Sequence, residues 1–203
     1  MKKLFVILSL ALTSFASCAY SLYTPAGTVD VNYSNTSGIK STYHYRVADF
    51  TPVATATDVL VLTGSATKTI RVTKVTISGD ATANAIFDVY LTKRTTADTG
   101  GTFTNPTPTP SDTADGAATG TLYLYTANPS ALGTGSALEG DHILLVNATA
   151  PTAQTQRLQY TWGTRNDKPP VLRGVAQSLT VNLSGNAVPA GTSLYISIEW
   201  TEE

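Results

Sequence analysis

Apolar and polar residues alternate along several stretches of this chain, and this period of two constrains the fold more than any other sequence feature. Successive side chains of a β-strand point to opposite faces, so alternation is typical of a strand with one buried face. The clearest example is 194–200, where Leu, Ile, Ile and Trp alternate with Tyr, Ser and Glu. Similar patterns begin at Tyr43 and near Leu158, and no stretch has a convincing helical stripe. The alternation therefore predicts an all-β chain.

Turn-forming residues, mainly Gly, Pro, Asn and Ser, separate these patterns into about ten strands. Antiparallel strands without helical crossovers pack in two layers, so we expect a single antiparallel β-sandwich. Its topology is either jelly-roll or immunoglobulin-like, because periodicity does not distinguish the two. The predicted strands are 29–33, 43–47, 58–63, 69–78, 85–93, 121–126, 141–147, 158–162, 178–183 and 194–200.

The strand at 69–78 changes phase part of the way along. Ile70 and Val72 share one parity, whereas the next apolar pair, which begins at Val75, has the other. An extra residue in one strand of an antiparallel pair restores the facing of the side chains beyond it. We therefore predict a β-bulge near 73–74.

Two segments interrupt the strand pattern. Residues 95–120 contain Pro106, Pro108 and Pro110 at alternating positions, which excludes pairing as a central strand and favours an extended, exposed loop. Residues 127–140 are rich in Gly, Ala and Ser and are also expected to form a loop. Long loops on a rigid sandwich often carry recognition, so both segments are expected to face outward or to contact neighbours.

The chain begins with a charged and apolar leader. Two lysines precede an apolar run, and small residues at 17–19 form a site that a signal peptidase accepts. We expect residues 1–19 to be a signal peptide or an apolar anchor, 20–40 a flexible arm, and 41–203 the sandwich domain. A cleaved leader predicts export to the periplasm, the outer surface or the medium, whereas a retained one predicts a place in a virion.

Cys18 is the one cysteine in the sequence. Cleavage before it would make Cys18 an acylated N-terminus, since 15–18 resembles a bacterial lipobox apart from Phe15. Cleavage after Ala19 would leave a chain without a thiol or a disulfide.

Composition limits the possible partners. Only 13% of residues are charged, against about 25% in typical globular chains, and the net charge is −1. Lys and Arg are scattered singly in the sequence, so nucleic acid is not an expected partner. We also expect no membrane span once the leader is removed.

The sequence offers little for catalysis, and we predict no enzyme activity, no catalytic residues, no cofactor and no metal. A triad or a zinc site would require His44 or His142, but His44 lies on a polar strand face. Asp141 cannot easily orient His142, because adjacent strand residues point to opposite faces. Residues 112–116 resemble a calcium-binding turn but lack the spacing of the EF-hand, so a plain polar turn is expected. The carboxylates considered for glycosidase chemistry, which mostly lie among turn residues, are Asp80, Asp88, Asp98, Asp112 and Asp115.

Aromatic residues leave one alternative open, which is a sugar-stacking platform. Most of these rings share a strand face with aliphatic residues, so packing in the core or at a subunit interface is the main expectation. The rings are Tyr43, Tyr45, Tyr90, Tyr123, Tyr125, Tyr160, Trp162 and Trp200.

Several segments within 41–203 resemble a family of uncharacterised proteins encoded by tailed phages and prophages. The matching segments are 64–74 (GSATKTIRVTK), 91–97 (LTKRTTA), 125–129 (YTANP), 171–174 (VLRG) and 198–203 (IEWTEE). The resemblance implies a β-rich virion or particle-surface component without known catalysis, and it supplies no functional residues. The leader departs from this pattern, because capsid and tail parts assemble in the cytoplasm.

These observations predict a non-enzymatic structural or surface subunit of decoration, fibre or tail type. We expect its partners to be copies of itself or a virion or envelope scaffold. The alternative is a secreted glycan-binding module or adhesin that uses exposed Tyr and Trp side chains.

Overall fold

A computed structural model describes residues 23–24, 27–28, 40–147, 149, 155–164 and 167–203 of the chain. The chain divides into two compact units, Met1–Gly38 and Ile39–Glu203. The strands are β1 (Tyr23–Thr24), β2 (Gly27–Thr28), β3 (Ser41–Phe50), β4 (Asp58–Thr63), β5 (Ile70–Ala81), β6 (Ala85–Arg94), β7 (Thr102–Thr104), β8 (Thr109–Pro110), β9 (Leu122–Ala127), β10 (Gly135–Asn147), β11 (Arg157–Thr161), β12 (Val171–Leu172), β13 (Ser178–Asn182) and β14 (Ser193–Glu202).

The second unit is one continuous sheet of twelve strands in the order β7-β9-β4-β13-β6-β10-β5-β14-β3-β8, with β11 and β12 also paired to β5. The sheet curls, because β10 pairs with β6 along most of its length and then with β5 at Val146 and Asn147. Strands that lie far apart in the sheet order, such as β4 and β5, contribute side chains to one buried cluster. For example, Leu62 of β4 and Ile70 of β5 both approach Gly120. The predicted all-β fold with two facing layers is therefore confirmed.

The strand order is the nested order of a jelly roll. The first long strand, β3, pairs with the last, β14, and β4 pairs with β13. On their other sides, β14 pairs with β5 and β13 pairs with β6. In an immunoglobulin fold the first strand pairs with the second instead, so the topology is closer to a jelly roll.

The core consists of the side chains that the alternation predicted to face inward. In β14, Leu194, Ile196, Ile198 and Trp200 are all at most 3% exposed, whereas the residues between them are half-buried. Ile70 and Val72 are fully buried together with Val75 and Ile77, although the two pairs differ in parity.

A β-bulge explains this change of parity. Glu199 of β14 lies opposite Lys74, but Trp200 lies opposite Val72, so Thr73 is the extra residue. The Thr73 hydroxyl donates a hydrogen bond to the Glu199 carbonyl oxygen at 3.2 Å. The predicted bulge is confirmed.

The prediction for the second loop was partly wrong. Strand β10 begins at Gly135, so only the first part of 127–140 is a loop. The alternation is hard to see there because Gly135, Gly140 and two small residues take strand positions, and because the ladder shifts register between Ala137 and Glu139.

The segment 95–120 is also more ordered than its prolines suggested. It contributes two short strands, β7 beside β9 and β8 beside β3. Pro110 lies in β8 at the edge of the sheet, where proline is tolerated because no further strand needs its missing N–H.

Several predictions concern residues outside the described part of the chain. The leader, Cys18, the strand at 29–33 and most of the arm lie there. Within the arm, the structure describes one antiparallel pair, β1 with β2.

Candidate ligand-binding surfaces

The first candidate site is a pocket of about 230 Å³ on the outer side of the β7-β9-β4-β13 layer. We call it the ring pocket, because Phe103, Tyr123 and Tyr125 line it. Phe103 packs edge-on against both tyrosines, with ring centroids 4.9 Å from Tyr123 and 5.4 Å from Tyr125. The remaining lining residues are Val61, Thr63, Ala97, Asp98, Gly100, Val175 and Ser178.

Two loops complete the wall of the ring pocket. Segments 95–101 and 128–134 are joined by backbone hydrogen bonds, including those between Thr99 and Ala131. The Gly133 N–H donates to Asp98 Oδ1 at 2.8 Å, which fixes the carboxylate that lines the pocket. The outer face of β4 and β13 is thereby covered, and every residue of β4 is buried.

A buried charged network holds these loops against the sheet. Arg94 donates to both carboxylate oxygens of Asp58, at 2.5 and 2.8 Å, and to the Gly133 carbonyl oxygen at 2.5 Å. Asp98 Oδ1 lies 3.3 Å from Arg94 Nε, and Asn182 donates to Asp58 at 2.5 Å. The side chains of Arg94, Asp58 and Asp98 are only 7%, 0% and 2% exposed.

This environment changes the titration of two pocket residues. Burial raises the pKa of Asp98 to about 6; the charge of Asp58 adds to this rise, while the Gly133 N–H and Arg94 oppose it. Burial and the nearby charges of Asp98 and Asp58 raise the pKa of Tyr125 to about 12. Asp98 Oδ2 and Ser178 Oγ are buried without a hydrogen-bond partner among the described residues.

The second candidate site is a shallow depression on the outer face of β3, β14, β5 and β11. Two adjoining hollows of about 470 and 290 Å³ share Arg46 and Ser197, so they form one surface. We call it the basic trough, because Arg46, Lys74 and Arg157 line it. The sequence scatters these three cations, and the strand register brings them onto one face.

The two histidines lie on different strands, His44 on β3 and His142 on β10. His44 bonds Ser111 Oγ at 2.5 Å and lies 3.4 Å from a Glu199 oxygen at one end of the basic trough. His142 bonds Asp88 at 2.6 Å across the β6–β10 pair, and its side chain is 73% exposed. Asp141 bonds Tyr160 instead of His142, as the strand geometry predicted.

Two further carboxylates considered for glycosidase chemistry, Asp112 and Asp115, lie in one turn. Asp112 Oδ1 accepts a hydrogen bond from the Ala114 N–H, and the Asp115 N–H donates to the Asp112 carbonyl oxygen at 3.0 Å, as in a polar turn. The Asp115 carboxylate accepts a hydrogen bond from Ser41 Oγ of β3 at 2.9 Å, which ties the turn to the sheet. Within the described residues, no group of three or more His, Cys, Asp or Glu side chains is placed to hold a metal ion.

The aromatic residues do not form one platform. Tyr43 and Trp200 stack in the core with centroids 5.9 Å apart. Tyr160 and Trp162 stack at 6.3 Å and pack against the core, while Tyr123 and Tyr125 belong to the ring pocket. Sequence reasoning missed Phe103, whose isolated position in a Thr- and Pro-rich loop was the available signal.

Comparisons of this chain with protein-family models, with curated proteins and with solved structures find no match. Among the described residues, no helix has the length and apolar character needed to span a membrane.

Proposed function

We propose that this protein is a non-enzymatic structural or surface subunit that acts through self-assembly and surface contacts. Its place is a virion or a cell envelope, reached by export if the leader is cleaved. The observation that supports this proposal is an exposed apolar pair on two neighbouring strands of the sheet. Ile86 and Leu144 lie directly opposite each other on β6 and β10 and are 71% and 42% exposed.

The position of this pair favours a protein contact. Cross-strand neighbours on one face lie about 4.5–5.5 Å apart, so the two side chains form one continuous apolar surface. Side chains of this size gain about 1.5–3 kcal/mol each from full burial, so a partner that covers this pair would be stabilised by it. A second copy of the subunit or a scaffold protein would bury it.

The experiment is light scattering or native mass spectrometry on residues 20–203. We expect an oligomer, and we expect the double variant Ile86→Thr, Leu144→Thr to be monomeric, since Thr keeps the strand propensity and removes apolar area. Val175→Thr is the matched control, because Val175 is 63% exposed but lines the ring pocket. A wild-type monomer that binds neither virions nor cells would refute the proposal.

A second candidate function is glycan binding at the ring pocket. Aromatic rings, here in edge-on contact, beside a carboxylate and a hydroxyl are the groups that a sugar ring contacts through its C–H face and its hydroxyls. Phe103 is 39% exposed, so it can be removed without opening the core. A glycan array should show binding that Phe103→Ala removes while the far-ultraviolet circular dichroism is unchanged. Equal binding by the variant would refute this candidate.

A further inference from the structure

The basic trough is built by the strand register. Arg46 lies opposite Ser197, which lies opposite Thr76. Arg157 lies opposite Ser78, and Lys74 lies opposite Glu199. Paired residues point to the same side of a sheet, so the long basic side chains stand around the short hydroxyl side chains of the two middle strands. The depression follows from this difference in size.

The three cations have no ionic partner within the described residues. Lys40, Arg71 and Arg94 form ion pairs, but Arg46, Lys74 and Arg157 form none. One carboxylate, Glu199, lines the trough, and it already bonds Thr73 Oγ1 at 3.0 Å and lies near His44. The surface is therefore positive, although the chain has a net charge of −1.

The floor of the trough consists of short hydroxyl side chains, and one of these hydroxyls has no hydrogen-bond partner among the described residues. Thr76 is 6% exposed and lines the depression, and its Oγ1 has no hydrogen-bond partner among the described residues. That oxygen is itself shielded from solvent, so the hydroxyls of the floor that a ligand can reach are those of the half-buried Ser78 and Ser197.

We infer that the basic trough binds an acidic polysaccharide, through carboxylate groups on Arg46, Lys74 and Arg157 and through sugar hydroxyls on the floor. Neighbouring strands are about 4.8 Å apart, so the backbones of Arg46 on β3 and Arg157 on β11 are about 15 Å apart across the sheet. A surface of this width accommodates an extended chain.

The small number of cations makes nucleic acid a poorer fit to the basic trough than an acidic polysaccharide. Duplex DNA carries one charge per about 1.7 Å of axis, and its affinity comes from neutralising many phosphates at once. Three cations neutralise few phosphates, so they supply little of the affinity with which a duplex is bound. Guanidinium groups bind planar carboxylates through two parallel hydrogen bonds, which favours uronate sugars.

The test uses the purified full chain in affinity gel electrophoresis with polygalacturonate. The same polymer in fully methyl-esterified form is the neutral control. We expect polygalacturonate to retard the protein and the ester not to do so. The double variant Arg46→Gln, Arg157→Gln should weaken binding about tenfold or more. Lys168→Gln with Arg173→Gln removes the same charge from exposed residues outside the trough and should leave binding nearly unchanged.

Four outcomes would overturn the inference: no retardation by polygalacturonate, equal retardation by the ester, equal loss in the two double variants, or tighter binding to dextran sulfate or to a single-stranded DNA. The inference does not depend on self-assembly, because Ile86 and Leu144 do not line the trough. A monomer that binds polygalacturonate but neither virions nor cells would refute the assembly proposal alone.

Discussion

Replacing Arg94 with Met is the sharpest test of how the ring pocket is held together. Met has a similar length and stays apolar, so the change removes the charge and the donors with little change in volume. Two buried carboxylates, Asp58 and Asp98, then lose their shared cation, and the Gly133 carbonyl oxygen loses a donor. Asn182 still donates to Asp58, and the Gly133 N–H still donates to Asp98.

Removing one partner from a buried ion pair costs about 3–5 kcal/mol, because the remaining charge stays desolvated. We expect this range, since Asp58 is fully buried and Arg94 binds it with two hydrogen bonds. For a domain of 150–250 residues, each kcal/mol lowers the melting temperature by about 2–4 °C, which predicts a fall of roughly 6–20 °C.

The assay is urea unfolding followed by tryptophan fluorescence, with calorimetry for the melting temperature. Arg71→Met is the matched control, because Arg71 pairs with Glu203 at 2.8 Å where both side chains are more than a quarter exposed. Such a surface pair contributes about 0–1 kcal/mol. A cost below about 1 kcal/mol for Arg94→Met would show that the network does not anchor the loops, and the reasoning from burial would fail.

Three further changes test the titration of Asp98, the hydrogen bonds of Glu202 and the close packing at Gly133. The raised pKa of Asp98, about 6 in the folded chain against about 3.9 unfolded, means that the folded state binds the proton more tightly. Stability should therefore fall as pH rises from about 4 to 6, by up to about 2–3 kcal/mol, and Asp98→Asn should flatten that slope in urea unfolding at a series of pH values. Burial alone would raise the pKa of Glu202, but hydrogen bonds from Thr119, Gly120 and Trp200 outweigh it and lower the pKa. Glu202→Gln should thus cost about 1.5–3 kcal/mol at pH 7, and the cost should shrink as the pH falls through the lowered pKa of the folded state, where the wild-type carboxylate is itself protonated. Gly133→Ala should cost about 1–3 kcal/mol, because its Cβ would lie 1.9 Å from the Thr96 carbonyl oxygen, whereas Gly116→Ala, with open space around it, should change the melting temperature little.

The strands could be predicted from sequence wherever one face is buried. Residues 194–200 and the bulge at Thr73 are correct, because alternation records which side chains face the core. Strand β4 was predicted with its bounds, and its four consecutive apolar residues, 59–62, are consistent with burial of both faces. Its outer face is covered by loops that lie far away along the chain, and periodicity within one strand does not reveal such a cover.

The candidate sites could not be predicted in the same way. Asp58 and Arg94 are 36 residues apart in the sequence. Arg46 and Arg157 lie on one face only because four strands, β3, β14, β5 and β11, pair side by side. A pattern of period two states that Arg46 faces solvent, but the register decides which residues stand beside it. The scattered positions of Lys and Arg in the sequence were therefore a poor guide to the surface charge.

The two outer faces of the sandwich explain where function can lie. Loops cover the face over β4 and β13, and the charged network that holds them leaves one narrow pocket. On the opposite layer, the described loops leave the face of β14 half-buried and polar, with a hydroxyl floor between cations. A face that only needed to be soluble would intersperse charges of both signs, which avoids a field of one sign. Three cations with one carboxylate on this face instead fit the proposal of an anionic ligand.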